Sequence, residues 1–261
     1  MLQDDSSDRA VRWHKEPLVG LEAKAAPSHT AVIVVDMQND FCAQDGMMWH
    51  EGRDLSAVQA MADRLPAFLG AARSAGALVV FVRNVYSTEL NWYLSDVWLE
   101  QATRRRHGSY TERKVCAPDS WNLEFYGGVR PASGDPVVTK HRFGAFMDTD
   151  LEVILRSNAI RTLVMTGAAT NVCVETTARE GFMRDYYILF AHDGTATYTT
   201  EAHEATLKTI DSFFGEVVSL KDLVSVWAKS QQLQASSRVA LPSTAADDPG
   251  AAVGSSKREV T

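Results

Sequence analysis

Short apolar runs of strand type alternate along this chain with longer stretches whose apolar residues recur at helical spacing. Ala31-Val-Ile-Val-Val35 is unbroken and β-branched, the mark of a central parallel strand covered on both faces, and it ends on Asp36. Ala77–Val82, Asp135–Lys140, Thr162–Met165 and Tyr186–Ala191 are further runs of this kind, with Glu216–Ser219 as a short sixth. Asp54–Ala75 reads as a helix, with Asp54 as its cap, Leu55, Val58, Met61, Leu65, Phe68 and Leu69 on one face, and Gly76 as its stop. Thr149–Ser157, a segment from about Thr170 to Arg184, Thr200–Phe213, and Leu220 to about Ala228 read as the remaining helices. Strands and helices in alternation predict a single α/β domain, a doubly wound parallel sheet of about six strands with helices on both faces.

The pattern breaks in three places. Residues 1–28 show mixed charge, two prolines and no period, and are expected to be an N-terminal arm ahead of a domain spanning 29–228. Residues 84–133 form a long excursion containing Trp92, Tyr93, Trp98 and Trp121, too aromatic for a disordered loop. It is expected to be a lid, a pocket wall or a subunit contact, as is Trp49. Residues 229–261 turn to Gln, Ser, Ala, Asp and Gly and are expected to be a disordered tail.

Charge narrows the partners. With 26 Lys and Arg against 33 Asp and Glu the net charge is −7, which disfavours nucleic acid and anionic membrane. No apolar run reaches the roughly 20 residues of a membrane span, and the acidic start is not a secretory signal. Three scattered cysteines, Cys42, Cys116 and Cys173, predict free thiols in a reducing, cytoplasmic compartment.

In a doubly wound sheet, ligands bind beyond the carboxyl ends of the strands. Asp36, Lys140 and Cys173 all fall there. Cys173 follows the small-residue turn Thr166-Gly-Ala-Ala-Thr170, in the first turn of the next helix, where backbone N–H groups favour negative charge. That placement is expected to lower the thiol pKa towards neutrality. Cys173 is then the nucleophile on a carbonyl carbon, Asp36 the group that takes the thiol proton and returns it to the leaving nitrogen, and Lys140 the charge that steadies both. Each has a plainer reading: a helix cap, a solvated charge, a small buried hydrophobe. The coincidence of all three at strand ends favours chemistry.

The segments Asp36-Met-Gln-Asn-Asp-Phe41, Lys140 and Gly167-Ala-Ala-Thr-Asn-Val-Cys173 resemble the isochorismatase-like cysteine hydrolase superfamily over roughly residues 29–228. The resemblance implies the triad Asp36, Lys140 and Cys173, a non-proline cis peptide at Ala168–Ala169, and an oxyanion hole formed by the backbone N–H groups of Ala169 and Cys173. Lys140-His-Arg-Phe-Gly-Ala-Phe146, Ala169–Glu175, Gly181-Phe182 and Phe213-Phe-Gly215 resemble its ureidoacrylate amidohydrolase members, which cleave a terminal ureido group. The aromatic excursion departs from that group and leaves the substrate open. Nicotinamidases in the superfamily carry an Asp/His metal cluster after the second strand. Here that place reads Arg83-Asn-Val-Tyr-Ser87, so no metal and no cofactor are expected. True isochorismatases hydrolyse a vinyl ether without the cysteine, and Cys173 argues instead for amides or ureides. A vinyl-ether hydrolase and a non-catalytic binding paralogue remain as alternatives.

The expected reaction is cysteine-dependent hydrolysis of a C–N bond in a small amide or ureide. Asn84, Tyr86, Phe143 and Phe146 are the candidate substrate contacts. Arg104-Arg-Arg106 is more simply a solvated turn than an anion site, His107, His141, His192 and His203 lack metal-ligand spacing, and Asp193 is expected to be structural. Cys42 and Cys116 are expected bystanders. The resemblance and the aromatic excursion together imply a homo-oligomer.

Overall fold

The structure is a computed structural model and describes residues 16–105, 110 and 112–239. A short helix α1 (Leu21–Lys24) and a 3₁₀ turn over Pro27–His29 lead into β1 (Thr30–Val35). Two single-turn helices, α2 (Asn39–Cys42) and α3 (Met47–His50), precede the long α4 (Ser56–Ala75). Then come β2 (Leu78–Asn84), α5 (Asp96–Arg105), β3 (Val137–Lys140), α6 (Leu151–Ser157) and β4 (Thr162–Ala168). The chain continues through α7 (Glu175–Phe182), β5 (Tyr187–Ala196), α8 (Thr200–Phe213), β6 (Glu216–Val218) and α9 (Leu220–Val239).

The six strands form one parallel sheet in the order β3-β2-β1-β4-β5-β6. The unbroken apolar runs have the physical cause inferred from them. Every residue of β1 and β4 is buried, because side chains alternate between two covered faces. Val32, Val34, Phe81 and Val164 pack with α4 and α9, whereas Ile33, Val35, Val82 and Met165 pack with residues of α6, α7 and α8. All six apolar residues assigned to one face of the predicted helix Asp54–Ala75 are buried. Asp54 does accept a hydrogen bond from Ser56 N–H at 2.9 Å, but Leu55 holds the cap position and Gly76 ends the helix at φ +88°.

Two expectations about boundaries change. The last helix passes Ala228 and runs to Val239, so residues 229–239, placed in a disordered tail by composition, are helical. Packing explains why the helix is anchored where it begins. Trp227 is buried against Phe68, its indole donates to Ala25 O at 2.9 Å, and Gln231 donates to Ser74 O. The rest of that tail, residues 240–261, lies outside the described residues, as do residues 1–15 of the arm. The excursion also contains a helix that its mixed pattern concealed, α5. No described helix is long and apolar enough to cross a membrane.

Candidate active site

The sheet order reverses between β1 and β4, and the site lies beyond their carboxyl ends, at the switch point of a doubly wound sheet. Register does the assembly. Val35 pairs with Val82 and with Gly167, and Asn84 pairs with Lys140. The residues just past these pairs therefore share one edge. Gly167 is indispensable to the approach, because its φ is +105° and a Cβ there would run into the Val35 carbonyl.

At that edge Lys140 Nζ stands 2.9 Å from Asp36 Oδ2, both side chains being buried. Asn84 locks the pair: its Nδ2 donates to Asp36 Oδ2 at 2.7 Å and its Oδ1 accepts from Lys140 Nζ at 2.9 Å. Lys140 also donates to Arg142 O at 2.9 Å. The Asn84 amide lies 4.0 Å from Cys173 Sγ. The Asp36 carboxylate interacts with the same thiol, while its Oδ1 atom, buried, has no hydrogen-bond partner among the described residues. Asp36 adopts φ +51°, a left-handed turn that takes the chain out of β1.

Cys173 sits in a π-type turn, Thr170–Val174, which follows the cis peptide Ala168–Ala169 and runs into α7. Such wide turns recur at functional sites. The Thr177 hydroxyl donates to Cys173 O at 2.7 Å, and Thr170 Oγ1 bonds His203 Nδ1 at 3.0 Å, fixing the turn from α7 and α8.

The electrostatics correct one expectation. Burial pushes the Cys173 thiol up to about 12, with Lys140 pulling the other way. Desolvation outweighs the helix amino end, so the resting group is a thiol. Burial likewise raises the Asp36 carboxyl above its ordinary value, against the lowering influence of Lys140. For Lys140, burial favours loss of the proton, but Asp36 and the Cys173 sulfur more than reverse this and hold the ammonium above its ordinary value. The three groups thus present a thiol, a carboxyl of raised pKa and a secure positive charge.

Asp36 and Cys173 border a cavity of about 190 Å³, walled by Phe41, Met48, Tyr86, Phe143, Val172 and Tyr198. Of the candidate substrate contacts, Asn84, Tyr86 and Phe143 line the cavity, although Asn84 is occupied by Asp36 and Lys140. The Tyr86 hydroxyl is buried without a hydrogen-bond partner among the described residues. Phe146 does not reach the cavity. It packs instead against Tyr186, with the Arg184 guanidinium over its ring. Its place three residues beyond Phe143 carries it past the turn after β3, towards Gly181 of α7.

The excursion is a wall. Trp98 of α5 packs on Tyr86 and Phe143, and Arg142 covers its ring and donates to Tyr93 O. Tyr93 stacks on His141 at 3.6 Å between centroids. Trp49, Trp92 and Trp121 are largely exposed. Arg104 pairs with Glu100 on the surface, while Arg106 and His107 lie outside the described residues. Asp193 accepts from Leu220 N–H, a structural role. Cys42 and Cys116 are buried with raised thiols. Among the described residues no three His, Cys, Asp or Glu side chains gather as a cation site.

Sequence reasoning missed four residues. The Gln38 side chain accepts from Asn84 N–H at 2.7 Å and donates to Asn84 O at 3.0 Å, bracing the end of β2. Asp40 accepts from Met47 N–H, Cys116 N–H and Asn122, pinning the excursion to the loop after β1. Both lie inside the Asp36–Phe41 segment, which was the available signal. Glu51 and Arg53 also line the cavity, and nothing in the sequence marks them.

Comparison with known proteins supplies the context for this geometry. The isochorismatase domain family matches residues 30–222. The ureidoacrylate amidohydrolase RutB of Enterobacter sp. (strain 638) is 34% identical over 207 residues, covering 76% of this chain and 88% of that protein. Its counterpart from Serratia proteamaculans (strain 568) is 36% identical over 202 residues, covering 74% of this chain and 80% of that protein. A crystal structure of a cysteine hydrolase from Pseudomonas syringae pv. phaseolicola 1448A is similar with a TM-score of 0.70 and 26% identity, covering 82% of this chain and 99% of that one.

Proposed function

The chain belongs to the isochorismatase family, and from that premise we propose that it is an amidohydrolase using Cys173 to open a C–N bond of a small amide or ureide. The observation that carries this reading is the buried Asp36–Lys140–Asn84 cluster beside the Cys173 sulfur at the floor of the cavity. Relatives named as ureidoacrylate amidohydrolases support the bond class.

The reaction follows from the groups present. The sulfur attacks the substrate carbonyl carbon as the thiol proton passes to Asp36, and Oδ1 is the oxygen left open for it. Attack and proton transfer are concerted, because a thiol at about 12 releases little thiolate on its own. The backbone N–H groups of Ala169 and Cys173 receive the oxyanion. Collapse breaks the C–N bond, and Asp36 hands the proton to the departing nitrogen. An acyl or carbamoyl thioester remains. Water attacks its carbonyl, Asp36 accepts the water proton, the C–S bond breaks, and the sulfur regains a proton. The products are ammonia or an amine with a carboxylic acid or a carbamate. Lys140 keeps Asp36 charged between steps, and Asn84 aims it. Tyr86 and Phe143 are substrate contacts of this reading.

An ammonia-release screen over ureides, carbamoyl amino acids, primary amides and biuret tests the proposal. Turnover is expected with at least one class, and Cys173→Ala should lower kcat by at least about 10³-fold in a folded protein. Full retention of turnover by Cys173→Ala would remove the sulfur from the reaction.

A further inference from the structure

The cavity carries charge at a second place, away from its floor. Arg53 and Glu51 line it from the loop between α3 and α4. That loop is held: Asp40 accepts from Met47 N–H, Glu51 N–H donates to Met47 O at 3.0 Å, Arg53 N–H donates to Met48 O at 3.0 Å, and Gly52 makes the turn at φ +72°. The Glu51 side chain is only 7% exposed, whereas that of Arg53 is 45% exposed. Arg53 Nε lies 3.6 Å from Glu51 Oε2, close enough for charge attraction and too far for a hydrogen bond. No described residue takes a hydrogen bond from this guanidinium, and it is the one cationic side chain among the described residues that line the cavity. Lys140, below the floor, is committed to Asp36, Asn84 and Arg142 O.

A guanidinium from which no described residue takes a hydrogen bond, lining a cavity that Phe41, Met48, Tyr86 and Phe143 also wall, matches a planar carboxylate. Glu51 faces the Nε side and steadies the guanidinium there. A ligand carboxylate on the Nη edge meets the positive charge first and Glu51 at greater range, so attraction outweighs repulsion. We propose that Arg53 is the specificity-determining residue that grips a substrate carboxylate, restricting the enzyme to amides or ureides with an anionic group opposite the scissile carbonyl. This rests on the reading of Cys173 as the reacting floor of the same cavity.

N-carbamoyl-β-alanine and its neutral carboxamide, 3-ureidopropionamide, are a matched pair of probes. Calorimetric binding to the full-length Cys173→Ala protein should favour the carboxylate by about 10-fold or more. Arg53→Met in that background should erase the preference, and Arg53→Lys should keep part of it. In the active protein Arg53→Met should raise KM for the carboxylate by about 10-fold or more while leaving kcat, and both constants for the carboxamide, nearly unchanged. Equal affinity for the two probes, a preference that survives Arg53→Met, or no binding of either overturns the proposal. A carboxylate preference that depends on Arg53 in a protein without C–N turnover would instead overturn the amidohydrolase reading and leave this one standing.

Discussion

At Cys173 burial and positive charge pull one proton in opposite directions, and burial prevails. The proposed base, Asp36, is itself raised by burial. If Asp36 works ionised, the acid limb of kcat/KM lies above the ordinary aspartate value of about 3.9, and activity grows as pH climbs through it. Lys140 lowers the Asp36 pKa, so Lys140→Ala should move that limb further up as well as slowing the reaction. A pH–rate profile checks the sign, and a limb at or below the ordinary value would contradict it. Asn84 lowers the same pKa through its hydrogen bond. Asn84→Ala should therefore shift the limb upward too and cut kcat/KM by about 10–100-fold, the worth of a hydrogen bond to a charged group, with KM little altered. An unchanged profile would reduce Asn84 to a packing residue. The convergence of Asp36, Lys140 and Cys173 was legible in the sequence because they stand where strand runs stop or just beyond. Arg53 was not, because a lone arginine in a loop looks the same whether it faces water or a cavity. Phe146 misled for a related reason: adjacency to Lys140 does not say whether the turn after β3 delivers a ring to the cavity or to α7.

Elements follow the same division. The strands were readable since burial on both faces demands unbroken apolar runs, and α4 since its apolar stripe is regular. The helix α5 was hidden because it meets the core through a short stretch, Trp98, Leu99 and Ala102, and Glu, Gln and Arg stand among its apolar positions. One of the ties between this excursion and the sheet is a carboxylate, Asp40, holding the amides of Met47 and Cys116 and the Asn122 side chain; backbone bonds from Asn39 N–H to Glu124 O and from Tyr126 N–H to Met37 O are others. Burial raises its pKa while those donors oppose the shift. Asp40→Ala strands two buried N–H groups, each worth about 1–3 kcal/mol. Thermal unfolding should shift down accordingly, and KM should rise more than kcat falls, as the wall and the Arg53 loop both loosen. Unchanged unfolding would show that the excursion is held by its aromatic contacts and its other hydrogen bonds without Asp40.

For the molecule as a whole, sheet order decides where chemistry can occur, and a doubly wound sheet with its ligand edge was inferred from the alternation of strands and helices alone. The extent of α9 was not, because its later turns are polar and composition there resembles a tail. Its anchor is Trp227, buried on Phe68 and bonded to Ala25 O. Trp227→Ala should cost about 3–5 kcal/mol, read as a lower denaturation midpoint, while active-site distances stay as they are. A loss well under 1 kcal/mol would mean that the helix is not part of the cooperative unit. This docking also places the segment leading into β1 against the last helix, with Lys229 facing Glu22 at 3.9 Å and Trp227 touching Ala25. The fold is thus a nearly closed loop of chain. Rejoined across that seam, it could be opened elsewhere, at the exposed Ser133–Gly134 turn ahead of β3, and a permuted chain so made would still bring Asp36, Lys140 and Cys173 to the same edge.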